Sequence, residues 1–254
     1  LFMKEFLEIK SLNILFLILF SLLLIDSSLI QATRSSWMYP HTGGPSYFSH
    51  TLIFIFLFFL IRSNFPLLAL TSALLVMISI KHGWFVVGFG ILFSLLKYKD
   101  LKKNIWILFP FFAFLYLYTQ GDVSQLSLNQ KIDLFNSVVN RDGAEASFHL
   151  QNKENLIILI FSFPLFFFMS KRLKGKNLIF CNLLLFLSIL TFIFGLIYNF
   201  YGAYIWPHPG LVALSPTRAL MLYQLIFWIL VIREVIQAKI NAIYKISFLL
   251  IMFY

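Results

Sequence analysis

The stretch FPLLALTSALLVMISIKHGWFVVGFGILFSLLK, residues 65–97, decides how the rest of the chain is arranged. It is apolar on both sides of a single interruption, Lys81-His82-Gly83. A helix that crosses a membrane needs about 20 apolar residues. Either 65–96 is one over-long helix with Lys81 buried inside it, or 65–80 and 84–96 are two short helices. In the second case they form a hairpin with Lys81-His82-Gly83 at its apex. The two readings put everything downstream on opposite sides of a membrane, so the placement of Lys and Arg chooses between them.

The membrane premise comes from composition. Of 254 residues, 60% are hydrophobic and 12% charged, against about 45–50% and about 25% in soluble domains. The mean hydropathy is +0.87. These values exclude a soluble globular enzyme, a secreted disulfide scaffold and a disordered chain. Apolar segments fall at 11–30, 46–61, 65–80, 84–96, 104–119, 155–170, 177–201, 216–232 and 240–254. The fold expected is an all-α, polytopic transmembrane bundle of about 8–9 spans, one domain over residues 1–254. The lone cysteine, Cys181, forbids an intrachain disulfide and a cysteine metal cluster. Leu12 to Ile25 is long and no small-residue cleavage site follows, so the first segment is read as an uncleaved span. A start at Leu1-Phe2-Met3 and an end at Tyr254 inside an apolar run fit a piece of a longer polytopic chain.

With the hairpin and a cytoplasmic N-terminus, 14 of the 20 cations lie inside and 6 outside. With one long helix the balance becomes 7 inside and 12 outside, with Lys81 buried. The positive-inside rule selects the hairpin. Adding the acids, the inner face carries +10 and the outer face +1, with Asp26 left in a span. The formal charge of +10 thus records orientation and suits anionic lipid headgroups. Nucleic acid is not needed to explain it.

The same topology sends all five histidines, His41, His50, His82, His149 and His208, to outer loops or outer span ends. The three long loops, 31–45, 120–154 and 202–215, are outer as well, and long loops are where scaffolds carry chemistry. In 31–45, Pro40, Gly43 and Gly44 break any helix, while Trp37 and Tyr39 suit the interface; His41 is a candidate contact. In 120–154, Ile132, Phe135, Val138 and Val139 fall at helical spacing and Ser127 with Gln130 has capping-box spacing. A short amphipathic helix in the outer interface, ending near Asp142-Gly143, is expected.

If 142–149 is helical, Asp142, Glu145 and His149 share a face. They would then hold a divalent cation or supply a general base, although a solvated charged face is the plainer reading. In 202–215, His208 lies between two prolines, and Ser215-Pro216 is a good helix start. Arg218 falls in that first turn, where the helix dipole disfavours a cation; a bound anion reconciles the two, and snorkelling to headgroups is the even alternative. Lys81 and His82 cap two short helices, a place where membrane proteins put sites. Asp26 lies roughly 20 Å along the first span if that span is helical, unless the span ends at Ile25.

The order of these features resembles the C-type (GT-C) membrane glycosyltransferases. The resembling residues are Gly44-Pro45-Ser46-Tyr47-Phe48-Ser49, the span to Arg62, Lys81-His82-Gly83, the outer loop with Arg141 and His149, and Ser215-Pro216-Thr217-Arg218. The resemblance implies transfer of a sugar from a polyprenyl-phosphate carrier at the outer face. It implies carrier-phosphate contacts from Arg218, Lys81 and His82, with Arg141, His208 and His41 as further outer cations. It also implies an acidic loop residue as base, for which Asp26 and Glu145 are the acidic candidates, beside His149 from the 142–149 face. No acidic pair follows the first span here, a departure from the family pattern. The chain is similar as well to the O-antigen polymerase and ligase group, through Arg218-x3-Leu222.

The function expected is therefore glycan transfer from or onto a lipid-linked carrier in a bacterial inner membrane, with functional loops facing the periplasm. The partners expected are membrane lipid and polyprenyl-phosphate-linked glycan, and no cofactor is called for. A transporter or flippase of an anionic substrate, or a non-catalytic membrane subunit, are the competing readings.

Overall fold

The computed structural model describes residues 45–98, 101–120, 127–142, 153–197 and 216–237. Every element among them is a helix. These are α1 (Pro45–Arg62), α2 (Phe65–Ile78), α3 (Ile80–Lys97), a 3-10 helix (Leu101–Ile107), α4 (Leu108–Gln120), α5 (Leu128–Asp142), α6 (Lys153–Ser170), α7 (Gly175–Ile197) and α8 (Pro216–Gln237).

The deciding stretch is a hairpin, as the charge balance requires, but its break falls earlier than the sequence suggests. Ser79 adopts an extended backbone (φ −152°, ψ 94°), ending α2 and starting α3. Lys81, His82 and Gly83 are therefore the first residues of α3 and not an apex loop. Gly83 is required for a different reason. A Cβ there would lie 3.1 Å from both Leu75 O and Val76 Cα, so the start of α3 rests directly on the backbone of the last turn of α2. At the far end of the hairpin the Phe65 and Tyr98 rings meet edge to face, centroids 5.2 Å apart. The two helices thus run antiparallel over their whole length.

Local rules explain the other boundaries. Ser63 takes a positive φ of 60° between α1 and α2. Asn64 then caps α2, its side chain accepting from Leu67 N at 3.4 Å, with Pro66 in the first turn. That Pro is harmless because the first-turn N–H groups have no intrahelical partner. The apolar segment 104–119 does not begin as an α-helix. Pro110 lacks an N–H and its ring opposes the carbonyl four residues back, and α-helix begins only at Leu108, after the 3-10 segment.

Two groups of helices share one core. In the first, α2 packs on α1, α3 and α4, and α1 also meets α3. In the second, α7 and α8 pack together and each meets α6. The groups join through α3, which touches both α7 and α8. The joint is aromatic: Phe180 of α7 sits edge to face on Phe89 and Phe93 of α3, at 4.7 and 5.5 Å. Gly90 lets α1 close on the same helix, because a Cβ there would lie 2.4 Å from the Phe56 ring. α8 is the central helix, with every residue from 222 to 230 buried.

The interior is apolar and aromatic, with isolated polar side chains set into it. Small polar side chains point inward: Ser49, Thr71, Ser72, Ser94, Asn104, Ser162, Ser170, Asn177, Ser188 and Gln224 are all buried. Large apolar side chains point outward on α2, α3, α4, α6 and α7, with Phe161 73%, Leu96 62% and Phe112 61% exposed. By length, one helix among the described residues is long and apolar enough to cross a membrane: Gly175–Ile197, 23 residues, mean hydropathy 2.5. At about 1.5 Å per residue it reaches roughly 34 Å, whereas α2 reaches roughly 21 Å.

Candidate functional site

The hairpin, together with α6, α7 and α8, gives the bundle two chemically different ends. At one end α1 finishes, α2 starts, α3 finishes, α6 turns into α7, and α8 finishes. Lys97 Nζ donates to Ser63 Oγ at 3.4 Å, Lys176 Nζ to Ile61 O at 3.5 Å, and Ser63 Oγ is hydrogen-bonded to Tyr98 Oη. Arg172, in the turn between α6 and α7, pairs with Glu234 of α8, and Arg233 meets the same carboxylate at 3.2 Å. Arg62, Lys97 and Lys171 rest on the faces of Phe58, Tyr98 and Phe167, at 4.6, 4.6 and 4.4 Å. Cations that the sequence assigns to separate inner loops are in this way neighbours in space.

The turn after α3 is fixed from inside. Ser94 Oγ donates to Asn104 Oδ1 at 2.6 Å and accepts from Trp106 Nε1 at 3.2 Å, while Asn104 Nδ2 donates to the Tyr98 carbonyl at 2.9 Å. A second buried polar pair, Ser162 and Tyr223 at 2.8 Å, ties α6 to α8. Neither group is legible in the sequence. The only signal was an isolated Ser, Asn or Tyr within an apolar run, which does not say what it faces.

At the opposite end α2 turns into α3 and α8 begins. Lys81 and His82 are in the first turn of α3, and Arg218 is the third residue of α8. α8 starts at Pro216, as the Ser-Pro pair predicts. α3 and α8 pack on each other and both finish at the basic end, so they run parallel and both begin here. Neither first turn carries an acidic residue. Lys81, His82 and Arg218 thus fall in the first turns of two helices, and a helix N-terminus is a setting that favours an anion.

The amphipathic helix expected in the long loop exists. It is α5, and its capping box is formed reciprocally: Ser127 N donates to Gln130 Oε1 at 2.9 Å and Gln130 N to Ser127 Oγ at 3.4 Å. Arg141 lies in its last turn and Asp142 ends it. Leu128, Ile132 and Leu134 on it are exposed, and α5 takes no extensive part in the packing of the other helices. Asp26, His41, Glu145, His149 and His208 lie outside the described residues. Among the described residues, no three His, Cys, Asp or Glu side chains gather as a metal site. Compared with known protein families, curated sequences and solved structures, the chain finds no match.

Proposed function

We propose that the chain is a polytopic integral membrane protein of a bacterial inner membrane, with about 8–9 spans, that works on a polyprenyl-phosphate-linked glycan at its extracytoplasmic end. The exposed apolar surface supports the membrane setting. An apolar outer surface spread over five helices suits hydrocarbon and would drive aggregation in water, and small polar residues facing inward suit helix–helix contacts in lipid. The basic end faces the cytoplasm. α5 lies in the outer interface, its exposed Leu128, Ile132 and Leu134 turned to lipid.

The observation that carries the functional reading is the parallel start of α3 and α8 at the end opposite the basic one. Their first turns contain Lys81, His82 and Arg218 and no acidic residue. A carrier phosphate bound there meets two helix dipoles and up to three cations. In a glycosyl transfer the acceptor hydroxyl attacks the anomeric carbon, the bond from that carbon to the phosphate oxygen breaks, and the lipid phosphate leaves with the electron pair. Arg218 and Lys81 would stabilise that charge. The acceptor's proton would pass to Asp26 or Glu145, the acidic role implied by the resemblance to GT-C enzymes, or to His149. Replacing Arg218 with Ala is expected to abolish glycan product at unchanged protein level in the membrane; undiminished product would overturn the proposal.

One observation favours transport as a second reading. α2 reaches roughly 21 Å against a hydrocarbon core of about 30 Å, so its turn at Ser79 would end below the surface and draw Lys81 into the membrane. Short broken helices of this kind are found at transporter binding sites. Uptake of a lipid-linked substrate into liposomes that depends on Lys81, without any glycan product, would select it.

A further inference from the structure

The basic end holds a feature that orientation alone does not demand. Lys97 and Lys176 come from different helices, α3 and α7, yet their ammonium groups converge on one turn, reaching Ser63 Oγ and Ile61 O at 3.4 and 3.5 Å. Both side chains are half-buried. Neither pairs with a carboxylate among the described residues, and Glu234, the acid described at this end, is engaged by Arg172 and Arg233. Two cations on one turn repel, and each ammonium has three donors, of which the bond to Ser63 Oγ or Ile61 O uses one. Lys176 also sits in the first turn of α7, which carries no acidic residue; a cation there opposes the helix dipole. Lys97 is further held in place by the Tyr98 and Phe93 rings, at 4.6 and 5.7 Å.

One ligand relieves all of these at once: an anion seated between the two ammonium groups at the N-terminus of α7. Leu95 and Leu96 on α3 and Ile179 on α7, within three residues of Lys97 and Lys176 in the sequence, are exposed and apolar, so a ligand that carries acyl chains suits this end. We propose that Lys97 and Lys176, at the turn formed by Ile61 and Ser63, bind the phosphodiester of an anionic phospholipid and lock the two helix groups together at the cytoplasmic leaflet. The inference rests on the membrane setting proposed above but not on the glycan site at the other end.

The test uses the full chain purified in mild detergent, with thermal unfolding followed while phosphatidylglycerol or phosphatidylcholine of matched acyl chains is added. Phosphatidylglycerol is expected to raise the melting temperature and phosphatidylcholine is not. In K97Q/K176Q the phosphatidylglycerol response should require about 25-fold more lipid, since each lost ammonium–phosphate contact is worth about fivefold. K171Q/K174Q removes the same charge from exposed residues of the same end and should respond like the parent. Equal weakening in both double variants would reduce the effect to general electrostatics and overturn the site, as would no weakening in K97Q/K176Q. The same rise with inorganic phosphate alone would overturn the lipid assignment. If the double variant does not fold, K97Q alone, which leaves the Lys176 bond to α1 intact, must still weaken the response; full retention overturns the proposal. A chain recovered from the soluble fraction without detergent would instead sink the membrane setting itself.

Discussion

At the scale of single residues, the sharpest constraints are steric. Gly83 sits where α3 starts against the α2 backbone, and the atoms 3.1 Å from its missing Cβ are Leu75 O and Val76 Cα, neither of which can rotate aside. Gly83→Val is expected to cost about 1–3 kcal/mol, the usual penalty of overpacking. Gly88, on the same helix, has nothing within 4 Å of its Cβ direction. Gly88→Ala should be neutral or gain about 0.5–1 kcal/mol, as Gly is a poor helix former. The pair is checked by thermal unfolding in detergent, and equal effects at both positions would contradict the close approach. A polar counterpart is Asn104, which holds Ser94 and the Tyr98 carbonyl. Asn104→Leu leaves the half-buried Tyr98 carbonyl short of that partner and should cost about 1–3 kcal/mol. The same melting experiment reads it, and the loss should shrink in a Ser94→Ala background because the two residues share one network.

At the scale of elements, what was legible in the sequence was what local chemistry controls. The Ser127–Gln130 capping box needs only four consecutive residues, and it begins α5 where the spacing says it does. Pro216 opens α8 for the same reason. The α2–α3 boundary was misplaced because Gly83 reads as a turn residue, while its smallness serves contact between helices and the extended residue is Ser79. Nothing in Ser79 itself announces that backbone; tertiary packing imposes it. Ser127→Ala tests the local rule in isolation. Loss of an N-cap costs about 1 kcal/mol, and α5 is packed little against the other helices. Amide exchange is therefore expected to quicken about fivefold in the first turns of α5 while the melting temperature of the bundle stays put. A fall in melting temperature would show that α5 is bonded into the core after all.

At the scale of the whole molecule, the partition of charge along the sequence matches the way the helices pack. Counting cations by loop says that Arg62, Lys97, Lys171, Arg172, Lys174, Lys176 and Arg233 share one side. The helices bring the ends that carry them together, through Lys97 with Ser63, Lys176 with Ile61 and Arg172 with Glu234. What the candidate site needs was less legible. Arg218, Lys81 and His82 could be placed on helix starts from their neighbours, but only the parallel run of α3 and α8 puts those starts at one end. The orientation itself is open to direct measurement, because Lys174 and Asn129 are both exposed and lie on sides that the proposal separates. Cys181 is fully buried and leaves a low background for thiol labelling. In intact cells, a membrane-impermeant maleimide should label Asn129→Cys and spare Lys174→Cys. After permeabilisation it should label both. Since positive loops are retained in the cytoplasm, Lys174→Cys labelled from outside would invert the bundle, and would move the end bearing Arg218, Lys81 and His82 to the cytoplasm, where an extracytoplasmic glycan transfer could not use it.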